Sequence, residues 1–410
     1  MSLRTDAQKI IDEAIFASKP DTAVKKALAS FEQPKGKLVL ISAGKAAWQM
    51  AKAATEFLGD KIHGGVVVTK YDHSMGELPG LEIYEAGHPV PDENSFKATE
   101  KAIKAVKNLE KDDTVIFLLS GGGSALFEKP LVDAAVLEDI TKQMLACGAD
   151  IVEMNTIRKR FSAVKGGRFA QICEPAKVFS IVLSDIIGDP LDMIASGPAY
   201  PDSSTCDQAF EIVKKYNLKL NVEMENLLKK ETPKQITNVE TLITGSVRQL
   251  CNSAEATAIK LGYEPHVLTA SLTCTARDAG SFLASIAQYY ADTDHSMAFI
   301  AGGETIVQLT GKGLGGRNQE IALAAAEKIS GLSNTAIFSV GSDGTDGPTD
   351  AAGGYCDYTS KQRLEEQGIS IPDVLANNDA YHALEKCEGL VITGPTGTNV
   401  NDLSVLLIKR

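Results

Sequence analysis

The chain has 410 residues, 44% apolar and 23% charged, with 35 Gly and 15 Pro, a balance that excludes fibrous, mucin-like and disordered classes. At about 150 residues per domain, this length predicts two or three domains, each able to bury its own core. The 53 acidic side chains against 41 basic ones give a formal charge of −12, which repels nucleic acid and anionic membrane over most of the surface and leaves room for a local basic pocket.

Apolar residues at helical spacing, including Ile10, Ile11, Ala14 and Ile15, predict helices over 7–16 and 22–30 as an outer layer or lid. Leu38-Val39-Leu40-Ile41 marks a buried strand over 37–42, followed by Gly44 and a helix through Phe57, the α/β pattern. Strands are expected at 65–69 and 81–86, then a helix at 94–109. An apolar strand at 114–119 runs straight into Ser120-Gly-Gly-Gly-Ser124, with a helix at 132–147. The stretch 150–170 reads as a helix, a basic turn at 164–167 and a short helix. A strand at 178–183 leaves into 184–196, where Asp185, Gly188, Asp189, Pro190 and Asp192 favour turns.

The polar region 217–238 marks a crossover between domains, placing them at 1–235 and 236–410. Strands at 240–244, 264–268, 296–300 and 336–339 then alternate with helices at 247–261, 275–290 and 318–328. Strands at 390–392 and 404–408 flank a turn rich in Gly and Thr. The second half is therefore also α/β, on its own sheet.

Seven cysteines, Cys147, Cys173, Cys206, Cys251, Cys274, Cys356 and Cys387, include no C-x-x-C pair and read as reduced thiols of a cytoplasmic protein. Charges at Arg4, Asp6, Lys9, Asp12 and Glu13, and no apolar run near 18 residues, predict neither a signal peptide nor a membrane span.

In open α/β sheets ligands bind where the carboxyl ends of strands meet helix N-termini, which favour anions. Three glycine-rich segments are placed at such points: 42–45, 120–124 and 313–316. Lys45 follows Gly44 directly, and a cation there opposes the helix dipole unless it serves an anion. The P-loop spacing is absent. Three successive glycines with flanking serines, Ser120, Gly121, Gly122, Gly123 and Ser124, exceed what a tight turn needs and point to anion binding by backbone N–H groups. Ser124 as a covalent nucleophile is the weaker reading, because the segment lacks the G-x-S-x-G elbow.

Arg158, Lys159, Arg160, Lys165 and Arg168 form a basic cluster in an acidic chain. Within it, Lys165-Gly166-Gly167 is a turn that would aim its ammonium inward at an anion, against the alternative of a surface lysine. Asp185 and Asp189 could hold Mg²⁺ or accept a hydroxyl proton, or simply cap turns. Arg317, followed by Asn318, again sets a cation at a helix start, where its fork suits phosphate or carboxylate. Asp343, Asp346 and Asp350 lie in a polar loop without the calcium-loop pattern. Glu304, after Gly302 and Gly303, could be a further oxygen ligand. His88, in Gly87-His-Pro-Val-Pro91, is an isolated histidine without partner motif or zinc spacing. Cations at anion-binding helix ends beside carboxylates suit phosphoryl transfer. The same parts would also build a phosphosugar isomerase, and patterning alone leaves phosphoryl transfer and isomerisation nearly level; a non-catalytic metabolite-binding protein is the more distant alternative.

The segments Ser42-Ala-Gly-Lys45-Ala, Gly87-His-Pro-Val-Pro-Asp92, Ser120-Gly-Gly-Gly-Ser124, Lys165-Gly-Gly167, Ser184-Asp-Ile-Ile-Gly-Asp-Pro190, Gly315-Gly-Arg-Asn-Gln-Glu320 and Gly341-Ser-Asp-Gly-Thr-Asp-Gly-Pro348 together resemble the glycerate 2-kinases related to hydroxypyruvate-reductase-operon proteins. The resemblance covers nearly the whole chain in order. It implies phosphorylation of D-glycerate at its 2-hydroxyl by ATP with Mg²⁺ or another divalent cation. It also implies a Rossmann-like three-layer N-terminal domain, a smaller C-terminal α/β domain and an active site in the cleft between them. The family's functional lysine maps to Lys45 and its arginine to Arg317.

The expected roles are therefore catalysis by Lys45, Arg317 and Asp185. Substrate or phosphate binding is expected at Gly44, Ser120, Gly121, Gly122, Gly123, Ser124, Lys165 and Asn318, and metal binding at Asp189 and Asp343. A lysine serves as general base only with a strongly lowered pKa, so a carboxylate or the substrate itself is the expected proton acceptor. The expected partner is D-glycerate, with no nucleic acid and no membrane, for a monomer or homodimer.

Overall fold

Two separate six-stranded sheets organise the chain. The computed structural model describes residues 2–410 and divides into two units, one of residues 23–184 and 189–244, the other of residues up to 22, 185–188 and 245–410.

The first unit holds β1 (Leu38–Ala43), β2 (Gly64–Lys70), β3 (Leu81–Ala86), β4 (Thr114–Leu119), β5 (Lys177–Leu183) and β6 (Val239–Gly245), in the order β3-β2-β1-β4-β5-β6. The pairs from β3 through β5 are all parallel. Every residue of β1 and β4 is buried, as uninterrupted apolar runs demand of a parallel sheet covered on both faces. Leu40, Ile116, Leu118 and Ile181 on one face pack with Trp48, Met50, Ala51 and Ala54 of the helix Ala47–Leu58. The strand order reverses between β1 and β4, the switch point where the following loops diverge and open a crevice at the strands' carboxyl ends. Ala43 pairs with Leu119, so the segment Gly44-Lys45 emerges beside Ser120-Gly121. This is the Rossmann-like arrangement that the motifs imply.

The second unit holds β7 (Glu264–Leu272), β8 (Met297–Gly303), β9 (Thr335–Gly341), β10 (Gly353–Asp357), β11 (Leu390–Val391) and β12 (Asp402–Ile408), in the order β11-β10-β9-β12-β8-β7. The last strand, β12, inserts between β8 and β9, antiparallel to both. Strand β10 escapes the sequence reading because Gly-Gly-Tyr-Cys-Asp lacks an apolar run. Its Gly353 lies so close to the Ser339 carbonyl that no side chain fits.

The N-terminal helix, Leu3–Ala17, differs from the expectation of an outer layer within a first domain of 1–235. Ala7, Ile10, Ile11, Ala14 and Ile15 join Leu250, Cys251, Ala254, Phe338 and Val405 in the core of the second unit. Its buried Asp6 accepts hydrogen bonds from Tyr263 Oη at 2.7 Å and Lys409 Nζ at 2.6 Å. An amphipathic stripe needs an apolar partner surface, and nearness in sequence does not decide which sheet supplies it. The division after Thr244 also falls beyond the expected 235. No helix among the described residues is long and apolar enough to cross a membrane.

Candidate active site

At the switch point of the first unit two loops are tied together by their backbones. Ser120 N donates to Ala43 O at 3.0 Å and Lys45 N to Gly121 O at 2.9 Å, while Ser120 Oγ accepts from Ala46 N at 3.1 Å. Gly44, at φ 128°, is packed against Ser120 with no space for a side chain. The following helix begins at Ala47, so Lys45 lies in the turn ahead of it, with an exposed side chain. Among the described residues the Gly121 and Gly122 amides donate to no protein acceptor, which leaves them available to an anion.

Gly122 adopts φ 84°. A side-chain carbon there would stand 3.0 and 3.1 Å from His88 Cδ2 and Nε2 and 3.1 Å from Lys45 Cγ. The missing side chain is thus what lets His88 and Lys45 converge. Burial, and then the neighbouring Lys45, Lys70 and His73, hold the His88 pKa below the ordinary 6.5, so the imidazole is neutral at pH 7.

Behind the glycine loop lies a buried polar layer. Ser124 Oγ is 3.0 Å from Ser196 Oγ, which donates to Asn155 Oδ1 at 3.0 Å. Ala195, Ser196 and Gly197 are all left-handed, with φ of 50°, 61° and 65°, a costly conformation for the first two. The Ala195 methyl occupies the space that a side chain on Gly123 would need.

Lys165 is fully buried, which corrects the expectation of a substrate contact. Its ammonium donates to Glu128 Oε2 at 2.5 Å, Ser124 O at 2.8 Å and Phe127 O at 3.3 Å. Three N–H groups meet three protein acceptors, and none is left for an anion. Burial outweighs the attraction of Glu128 and lowers the ammonium pKa to about 8. Glu128 Oε1 is buried without a partner.

The loop leaving β5 carries Asp185, half-buried, and Asp189, at φ 51° with a buried, unpartnered Oδ1. Among the described residues no three His, Cys, Asp or Glu groups gather to hold a metal. Mg²⁺, however, needs only one or two carboxylates when phosphates and water complete its shell. The orphaned Asp189 oxygen fits that requirement.

In the second unit a cavity of about 990 Å³ is lined by Glu304, Arg317, Asp343 and Asp346, by Gly313, Gly315 and Gly316, and by apolar Ile306, Val307 and Leu309. Arg317 opens the helix Arg317–Ile329. Its Nε and Nη2 grip Asp402 at 2.6 and 3.1 Å, and Nη1 reaches Glu304 at 2.9 Å. Burial opposes the charge, but the bonds to Asp402 and the charge of Glu304 raise the guanidinium pKa further. The protein thus supplies the counter-charge that the sequence argument sought in a ligand, and it leaves the Arg317 side chain one-third exposed.

Asn318 is buried, contrary to its expected place as a substrate contact: its side-chain N–H faces Asp346 Oδ1 at 3.3 Å and its carbonyl accepts from Ser339 Oγ at 2.5 Å. Asp346 in turn accepts from the Asn318 and Gln319 amides at 3.1 and 2.8 Å and so caps the helix. Asp343 is half-buried and accepts from Thr345 N at 3.0 Å. Sequence reasoning missed Asp402, which opens a strand rather than a loop, along with Glu128, Asn155 and Ser196. It discounted His88.

Comparison with known proteins extends over both units. A model described as a domain of unknown function (DUF4147) matches residues 6–229, and a MOFRL family model matches residues 297–402. The chain is 49% identical to a D-glycerate 2-kinase of Thermotoga maritima, covering 99% of each chain. It is 38% identical to a glycerate 2-kinase of Pyrococcus horikoshii, covering all of this chain and 98% of that one. A crystal structure of glycerate kinase from Thermotoga maritima superimposes with a TM-score of 0.93 at 48% identity over 99% of both chains.

Proposed function

The chain belongs to the glycerate 2-kinase family, and from that premise we infer that it transfers the γ-phosphoryl group of ATP to the 2-hydroxyl of D-glycerate, giving 2-phospho-D-glycerate and ADP. The observation that carries this reading is similarity to named glycerate 2-kinases along the full chain, both units included. The local chemistry agrees with it: Lys45 and the free Gly121 and Gly122 amides lie in two loops joined at the switch point of a parallel sheet, a place suited to an anionic group.

In this reading Lys45 and Arg317 stabilise the charge that spreads over the transferred phosphoryl oxygens. The Ser120–Ser124 loop, with Gly44 allowing its close packing, binds an anionic group of the substrate. Lys165 and Asn318 act one layer back, the first by fixing the Ser124 and Phe127 carbonyls and the second by orienting Asp346. Asp189, with Asp185 and Asp343 as alternatives, would hold a divalent cation, which when bound screens phosphate charge. The net charge of −12 favours a small metabolite over nucleic acid or membrane as partner, and unpaired cysteines favour a reducing, cytoplasmic setting. The chain acts as a monomer or homodimer, a choice that light scattering decides.

Purified protein supplied with ATP, Mg²⁺ and D-glycerate should release ADP in a coupled assay, with phosphorus NMR identifying 2-phosphoglycerate. No ADP release refutes kinase activity. Formation of 3-phosphoglycerate refutes the regiochemistry alone, and turnover of a phosphosugar without ATP favours an isomerase.

A further inference from the structure

His88 stands out among the groups that these roles leave unused. It sits in the turn after β3, its ring edge against Gly122 and beside the Lys45 side chain, with Nε2 on the side of the glycine loop. Among the described residues neither ring nitrogen is hydrogen-bonded, whereas the acidic groups around it are engaged. Asp92, on the same turn, accepts from Tyr71 Oη at 2.7 Å and Ser95 N at 3.0 Å. Glu85 accepts from the His73 and Ser74 amides at 3.1 and 2.9 Å. The remaining charged or titratable groups facing the ring are Lys45 from the loop after β1, Lys70 from the end of β2 and His73 from the turn that follows. All three disfavour imidazolium. A side chain on Gly122 would displace either the imidazole or Lys45, so the glycine ties their positions together.

Resting on the kinase reading above, we propose that His88 is the general base of the reaction, accepting the C2 hydroxyl proton of D-glycerate on Nε2. As the proton moves, the C2 oxygen forms its bond to the γ-phosphorus. The bond from that phosphorus to the bridging oxygen breaks, and its electron pair remains on ADP. Imidazolium then returns the proton to water. A neutral imidazole is needed for the first event, and the neighbouring cations keep it so. The negative charge of the transferred group offsets the new positive charge once the proton has arrived.

The test is the pH dependence of kcat/KM for wild type, His88→Ala and His88→Gln. Wild type should show an acidic limb with an apparent pKa below 6.5. His88→Ala should lose about 10²-fold or more in kcat, lose that limb, and regain activity with added imidazole. His88→Gln keeps a hydrogen-bond donor but no base, and should stay equally slow. Turnover of His88→Gln within about threefold of wild type with the limb intact would overturn the proposal and leave the kinase reading standing. So would a wild-type profile with no acidic limb at any pH down to the acid unfolding of the protein, which needs no variant to fold. A wild-type protein that releases no ADP with D-glycerate fails at the kinase reading itself.

Discussion

Replacing Lys165 by Met probes the layer beneath the glycine loop. Both Lys165 and Glu128 are fully excluded from solvent, and Glu128 Oε1 already lacks a partner. Removing the ammonium strands a buried carboxylate and deprives the Ser124 and Phe127 carbonyls of their donor. Breaking a buried pair on one side costs about 3–5 kcal/mol, and in a domain of this size that lowers the melting temperature by roughly 2–4 °C per kcal/mol. Lys165→Met/Glu128→Leu removes the stranded charge and retains only the cost of the two carbonyls, about 1 kcal/mol each. The double variant should therefore be more stable than the single one by about 2 kcal/mol. Calorimetry of wild type, both single variants and the double variant measures this coupling. The single variant should also raise KM for D-glycerate more than it lowers kcat, because its effect passes through the loop. A loss below about 1 kcal/mol in Lys165→Met, or a double variant no more stable than the single one, would refute the assignment.

Lys45→Ala and Arg317→Ala should each lower kcat by two or more orders of magnitude, roughly what loss of a charge stabiliser costs, with little change in melting temperature for Lys45→Ala; steady-state kinetics near wild type for both would defeat their catalytic roles. Ala195→Gly should stabilise the first unit by about 0.5–1 kcal/mol, because φ 50° strains alanine and not glycine, whereas Gly123→Ala should destabilise it by roughly 1–3 kcal/mol through overlap with the Ala195 methyl; denaturant titration separates them. Burial pushes the Asp346 carboxyl up from 3.8 to about 6 against the pull of the Gln319 and Asn318 amides. Between those values the folded chain holds a proton that the unfolded chain has released, so this group's contribution falls by roughly 3 kcal/mol in total as pH rises across the window. Comparing melting temperatures of wild type and Asp346→Asn from pH 4 to 6.5 should show that downward slope in wild type alone, and equal slopes would contradict it.

What local chain chemistry can express was readable before the structure. β4 ends where expected and β1 one residue later, and the glycines that follow them mark the switch point, because both signals depend on neighbours in sequence. Pairings across the fold carry no such mark. Arg317 opens its helix as its position beside Gly316 implies, yet its partners Glu304 and Asp402 lie 13 and 85 residues away. Lys165 and Lys45 both adjoin glycine turns and read alike. One is enclosed by Glu128, 37 residues distant, and the other is left at the surface, a difference set by which distant segments the fold brings against each. His88 is the sharpest instance. As an isolated histidine it lacked a partner motif, and the property that gives it one is an absence: Gly122 has no side chain to hold it away from Lys45. A search for reactive residues therefore does well to ask, for each glycine that tolerates no side chain, which groups its bareness allows to meet.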